Sequence, residues 1–167
     1  MEDLFFIKNF PDNARVWIYQ GSKEFTPNET NEINHLLNNF VSNWKAHNNP
    51  LKAIAQVVKN RFIVIAVDET QAEISGCGID TSVRFIKELE NKYSTTFFDR
   101  MLVCYQTENG TIQTFNFHHL FSLLNKGTLT LDTLIYNNLV STVKELKENW
   151  LVPLNQSWMA PFIKAGV

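Results

Sequence analysis

Cysteine is scarce in this chain: only Cys77 and Cys104 occur. Two cysteines cannot staple a small disulfide scaffold, and neither belongs to a C-x-x-C pair of the kind that holds zinc or runs redox exchange. A single disulfide between them is left open by the sequence. Long apolar runs are lacking as well. The first one, LFFI, follows acidic residues, whereas a secretory leader needs a basic start and a longer apolar stretch. Nothing approaches the roughly 20 apolar residues that span a bilayer. The expectation is a cytoplasmic protein with reduced thiols and no membrane partner.

Excess charge of one sign is also missing. A formal net charge of −2 offers no broad surface for a polyanion, so no nucleic-acid partner is expected. Neither G-x-x-x-x-G-K-[ST] nor G-x-G-x-x-G occurs, which removes the usual phosphate-cradling loops, and no G-x-S-x-G marks a serine nucleophile.

What is present is ordinary for a folded chain. Apolar residues make up 44% of the 167 positions and phenylalanine alone contributes 13, enough for a sizeable aromatic-rich core. With no repeat, low-complexity tract or linker, the reading is one α+β domain over residues 1–167.

The chain punctuates itself clearly at first. RVWIYQ (15–20) has the β-branched and aromatic content of a strand. FTPNE follows, with Thr26 as N-cap, Pro27 at the first helical position and Glu29 closing a capping box. Ile33, Leu36, Leu37, Phe40, Val41 and Trp44 then recur at helical spacing, and HNNP (47–50) ends the helix because Pro50 disfavours helical geometry before it. Residues 51–69 predict two strands with a turn near Lys59 to Arg61. The second, FIVIAV, is apolar without alternation, as in a strand covered on both faces. A helix over TSVRFIKELENKY comes next, then a strand in DRMLVCYQ (99–106). Asn109-Gly110 predicts a two-residue hairpin back into TIQTFNF (111–117). HHLFSLLN (118–125) predicts a helix ended by Gly127, and a longer helix is expected within 132–150 on the stripe Leu139, Val143, Leu146 and Trp150. The fold class is thus α+β, an antiparallel or mixed sheet with helices mainly on one face. The order β-α-β-β-α-β is compatible with a ferredoxin-like core carrying C-terminal helices.

The chemistry-bearing candidate is ISGCGID (74–80). Cys77 lies between two glycines ahead of a helix, where unpaired amides favour a thiolate. It is the one candidate catalytic residue. Ser75, Gly76, Gly78, Asp80, Ser82 and Arg84 are the candidate ligand-binding residues, because glycine lets a ligand approach the backbone and the others add polar contacts. Against catalysis, Asp80 is expected to N-cap the helix, occupying the amides and opposing a second negative charge. The plainer reading is a strand-to-helix turn in which both glycines take positive φ and the thiol is a small hydrophobe. His118 and His119 are adjacent and point about 100° apart on a helix, so they do not make an i, i+4 metal pair, and no metal or cofactor is expected. Asp68 and Glu69 read as the polar exit from FIVIAV, with metal binding or base chemistry as the alternative. Trp158 either pins the terminal segment to the domain or joins a homo-oligomer contact.

ISGCGIDTSVRFIKELE, LIYNNLVSTVKELKENW and NQSWMAPFI resemble stretches of a family of short uncharacterised bacterial proteins, some of which carry the label "ABC transporter ATPase". The resemblance covers most of the chain and implies a bacterial protein; it brings no activity, cofactor or site residue with it. The residues do not support the label. An ABC ATPase needs a Walker A loop and an LSGGQ-like signature, both missing here, and Asp68-Glu69 only echoes a Walker B carboxylate. Three functions are carried forward: a non-catalytic domain binding a small ligand or a protein, a thiol enzyme using Cys77, and a structural homo-oligomer.

Overall fold

The computed structural model describes residues 2–166. These form antiparallel sheets and helices, an α+β fold. They fall into two compact units: the chain up to Phe98 together with Val140–Lys147, and Asp99–Leu139 together with the chain from Glu148 on. The chain crosses between the units three times, without a linker-like composition at any crossing.

The first unit is built on a three-stranded antiparallel sheet. Strand β1 (Arg15–Gln20) is followed by helix α1 (Pro27–Asn43) and a small hairpin of β2 (Lys45–Ala46) and β3 (Asn49–Pro50). Strands β4 (Lys52–Val58) and β5 (Phe62–Asp68) and helix α2 (Gly76–Tyr93) complete the run, and the sheet order is β1-β5-β4. Every residue of β5 is buried, as its unbroken apolar run requires of a central strand. Tyr19, Val57, Ile63, Ile65 and Val67 form a core with Ile33 and Leu37 of α1 and Ile86 and Leu89 of α2, so both helices cover one face of the sheet.

Helix α1 begins as its capping box dictates. Thr26 accepts from the Glu29 amide at 3.2 Å, and the Glu29 carboxylate accepts from the Thr26 amide at 2.8 Å. Its end has a different cause from the proline stop. His47 and Asn48 both take left-handed φ, 49° and 69°, which makes a tight turn between β2 and β3 and puts Pro50 on a strand opposite Lys45. Lys59 and Asn60 make the β4–β5 turn in the same way, at 53° and 51°.

The fourth strand that a ferredoxin-like sheet would place beside β1 belongs to the other unit. Instead, Arg15 bridges Thr142, the Val16 amide donates to Ser141 O, and the Val143 amide donates to Ala14 O. Residues 140–147 thus cover the outer edge of β1.

The second unit is a four-stranded antiparallel sheet in the order β7-β6-β8-β9, formed by β6 (Leu102–Gln106), β7 (Ile112–Asn116), β8 (Leu134–Tyr136) and β9 (Leu151–Pro153). The β6–β7 connection is longer than the Asn-Gly pair predicts. Thr107 pairs with Thr111, and Gly110 alone takes positive φ (79°), the three-residue loop with glycine in the bulge position. Helix α3 (Leu120–Asn125) stops before Gly127, whose φ is 71°. The long helix expected within 132–150 does not form. Residues 134–136 are β8, Leu139 is 70% exposed, and α4 (Val143–Asn149) starts only after a cap of its own, in which Thr142 Oγ1 accepts from the Glu145 amide and the Glu145 carboxylate accepts from the Ser141 amide. Helix α5 (Ala160–Ala165) follows. Trp158 lies 5.2 Å from Phe117 and packs on a core of Val103, Phe115, Leu120, Ile135 and Met159, so it pins the terminal segment within its own unit.

Candidate functional site

Helix α2 begins earlier than the sequence suggests. Ser75 is the N-cap, in extended geometry, and its Oγ accepts from the Gly78 amide at 3.2 Å. Gly76, Cys77 and Gly78 are therefore the first turn of the helix, not a corner before it. Neither glycine takes positive φ. Asp80 lies in the second turn with no capping role, which corrects the expectation that its carboxylate occupies the amides. A neutral serine does that work, and no acidic residue stands in the first turn.

The candidates at this turn divide between core and surface. Cys77 is exposed, as are Gly76, Asp80 and Arg84. Gly78 is buried: its carbonyl accepts from Trp44 Nε1 at 3.0 Å, and a Cβ there would stand 3.0 Å from Ile74 Cγ1. Ser82 is buried too, with its hydroxyl donating to Ile79 O, so it faces the core and not a ligand. Arg84 reaches Thr81 Oγ1 at 3.5 Å. Cys77 is exposed and Cys104 buried, and no disulfide joins them. His118 and His119 lie in a short 3-10 helix of the other unit, where the His118 amide is held by Asn116 Oδ1. His47 sits in the β2–β3 turn.

The acidic pair after FIVIAV organises the approach to α2. Asp68 accepts from Lys52 Nζ at 2.7 Å and from the Thr70 amide at 3.0 Å, and these bonds, Lys52 first, hold its carboxyl down at about 2. Glu69 accepts from the Ile74 amide at 2.9 Å and stands 3.6 Å from Arg15. Asp99 accepts from its neighbour, the Met101 amide. Among the described residues no group of three or more His, Cys, Asp or Glu is placed to hold a metal ion, and no helix is long and apolar enough to cross a membrane.

A concavity exists elsewhere in the first unit. A groove of about 510 Å³ is lined by Asn31, Glu32, His35 and Leu36 of α1 and by Lys92 from the last turn of α2. At its edge the Tyr93 hydroxyl donates to Glu32 Oε2 at 3.1 Å. Burial, reinforced by the neighbouring Glu32 carboxylate, pushes Tyr93 up to about 12, so the phenol stays a donor throughout the physiological range. Lys92 Nζ lies 5.4 Å from the centre of the same Tyr93 ring. His35 Nε2 meets Asn39 Nδ2 at 3.3 Å. The sequence carries a faint signal for half of this site, since Glu32, His35 and Leu36 are one face of α1 at i, i+3, i+4. Nothing in the sequence pairs that face with the end of α2.

Comparison of the chain with protein-family models, with curated proteins and with solved structures finds no match.

Proposed function

We propose that this chain is a cytoplasmic, bacterial, non-catalytic binding domain and that the α1–α2 groove is where a small ligand sits. The observation that carries this reading is the Tyr93–Glu32 hydrogen bond at the groove's edge. A buried donor that keeps its proton fixes a carboxylate where solvent and ligand reach it, and such pre-placed polar groups beside an aliphatic contact (Leu36) are what small-molecule sites use for orientation. The test is a small-molecule fragment library titrated into the isotope-labelled full chain. Ligands should shift the backbone signals of Asn31, Glu32, His35, Leu36 and Lys92. Shifts confined to residues 75–84 would move the site back to the start of α2, and a library that moves neither set would end the reading.

A second reading has an observation of its own: Cys77 is exposed in the first turn of α2, capped by a neutral serine. A thiol enzyme would show Cys77 alkylation that stays fast well below the pH at which an ordinary thiol slows. A pH profile matching a free thiol would leave an accessible but unactivated cysteine. The homo-oligomer reading rests on Phe121 and Phe162, 39% and 50% exposed near the terminal segment, and light scattering that finds a monomer at high concentration would remove it.

A further inference from the structure

We infer that the α1–α2 groove selects a small zwitterion, with an ammonium held by Glu32 and a carboxylate held by Lys92. This rests on the groove being a ligand site and names what it takes.

The lining supplies both signs of charge. Glu32 as a carboxylate only accepts hydrogen bonds; Tyr93 engages Oε2 and leaves Oε1 to a donor, best a cation. Lys92 only donates, so its complement is an anion. Both side chains abut Tyr93, yet among the described residues they form no ion pair with each other. Two opposite charges held apart beside one ring favour a ligand that carries both and spans them. Leu36 gives an aliphatic stem something to rest on, and Asn31 and His35 can both donate and accept. Other ligand classes fit less well. A polyphosphate would meet Glu32, and a divalent cation would find one carboxylate and an ammonium. The volume of about 510 Å³ lies within the small-molecule range of roughly 300–1,000 Å³.

Free amino acids and short peptides share this chemistry and differ in the distance between their charged ends. The experiment titrates the labelled chain with leucine and with leucyl-glycine, then with each ligand N-acetylated and C-amidated. The zwitterion should shift the signals of Glu32, His35 and Lys92, and removing either charge should weaken binding about tenfold, the usual scale of one lost charge-assisted hydrogen bond. Glu32→Gln should abolish the penalty of N-acetylation alone, and Lys92→Met the penalty of C-amidation alone. Both positions are exposed, so circular dichroism should show an unchanged fold. Leucine binding better than leucyl-glycine assigns the site to free amino acids, and the reverse order to peptides. Blocked ligands that bind as well as the zwitterions would overturn the inference. So would fragments that occupy the groove while zwitterions do not, and in that case the groove remains a ligand site. If neither fragments nor zwitterions bind, both readings fall.

Discussion

Helices α1 and α2 lie side by side on one sheet, but they start in opposite ways. The start of α1 is closed by its own residues. Thr26 and Glu29 satisfy each other's amides, Pro27 has no N–H to satisfy, and Lys23 pairs with Glu29 at 3.1 Å. The Thr26 amide, then Lys23, holds the Glu29 carboxyl below its ordinary range. The start of α2 has one cap bond, two glycines and an exposed thiol, and its position is fixed from outside: by Trp44 on Gly78 O, by Asp68 on the Thr70 amide and by Glu69 on the Ile74 amide. A cap made of neighbouring residues is written in a local motif. A start that leans on Trp44, 34 positions before Gly78, and on carboxylates at the end of β5 and just after it, outside any cap motif, is not, and that is why Thr26 is legible in the sequence and Ser75 is not.

Substitutions that loosen the external supports should separate the two starts most. Trp44→Ala should cost about 3–5 kcal/mol, since the side chain is 3% exposed and its removal leaves a cavity. Trp44→Phe keeps most of the volume and removes only the Nε1 bond to the Gly78 carbonyl, which retains its partner within the helix, and should cost about 0.5–1.5 kcal/mol. Both are read by urea unfolding. Hydrogen exchange should rise at residues 76–80 before it rises at residues 27–31; equal protection at both starts would break the contrast.

The support from Asp68 should be visible as a pH effect. Its carboxyl is lowered from an ordinary 3.8 to about 2, so the folded state binds this proton less readily than the unfolded chain. The stabilisation is fully present above pH 3.8 and is lost as pH falls through about 2. Lys52 is half exposed and solvent screens the pair, so Asp68→Asn should cost about 1–2 kcal/mol at neutral pH. The gap between variant and parent should close on acidification over that window; a gap that persists at pH 2 would mean the cost is packing.

The caps themselves come next. Thr26→Ala should cost about 1 kcal/mol and Ser75→Ala less, because only Thr26 belongs to a reciprocal pair. Equal costs would show that the second half of the box adds nothing. The smallest effects should come from the glycines. A Cβ at Gly76 meets nothing within 4 Å, so Gly76→Ala should stabilise by a few tenths up to about 1 kcal/mol. Gly78→Ala should lose that gain against Ile74 Cγ1, 3.0 Å from the added carbon.

The sequence was most readable where one local rule decides the structure. The α1 cap, the buried run of β5 and the turn near Lys59 all followed from a few adjacent residues. It was misread where two rules competed. Leu139, Val143, Leu146 and Trp150 have helical spacing, but the Thr142 cap on the Glu145 amide starts the helix after Leu139, and LIY pairs as β8. Asp80 is a good cap residue one turn too late, and Ser75 took the role because Ile74 is anchored in the core and bound by Glu69. The candidate residues Cys77, Gly76, Asp80 and Arg84 do reach solvent, whereas Gly78 and Ser82 had no local sign of facing inward. The α1 side of the groove left only a faint trace, and its pairing with the end of α2 left none, because it joins residues some 60 positions apart, Glu32 and Tyr93, through packing alone.

The strap over β1 has a consequence for synthesis. As the chain leaves the ribosome, β1, β4 and β5 and both large helices are complete long before residues 140–147 appear. Until then the outer edge of β1 offers the Val16 amide and the Ala14 carbonyl to any passing strand. The nascent first unit therefore matures in two stages separated by the translation of the whole β6–β8 region, and in that interval its exposed border is the place where a chaperone is most useful and a neighbouring nascent copy most hazardous.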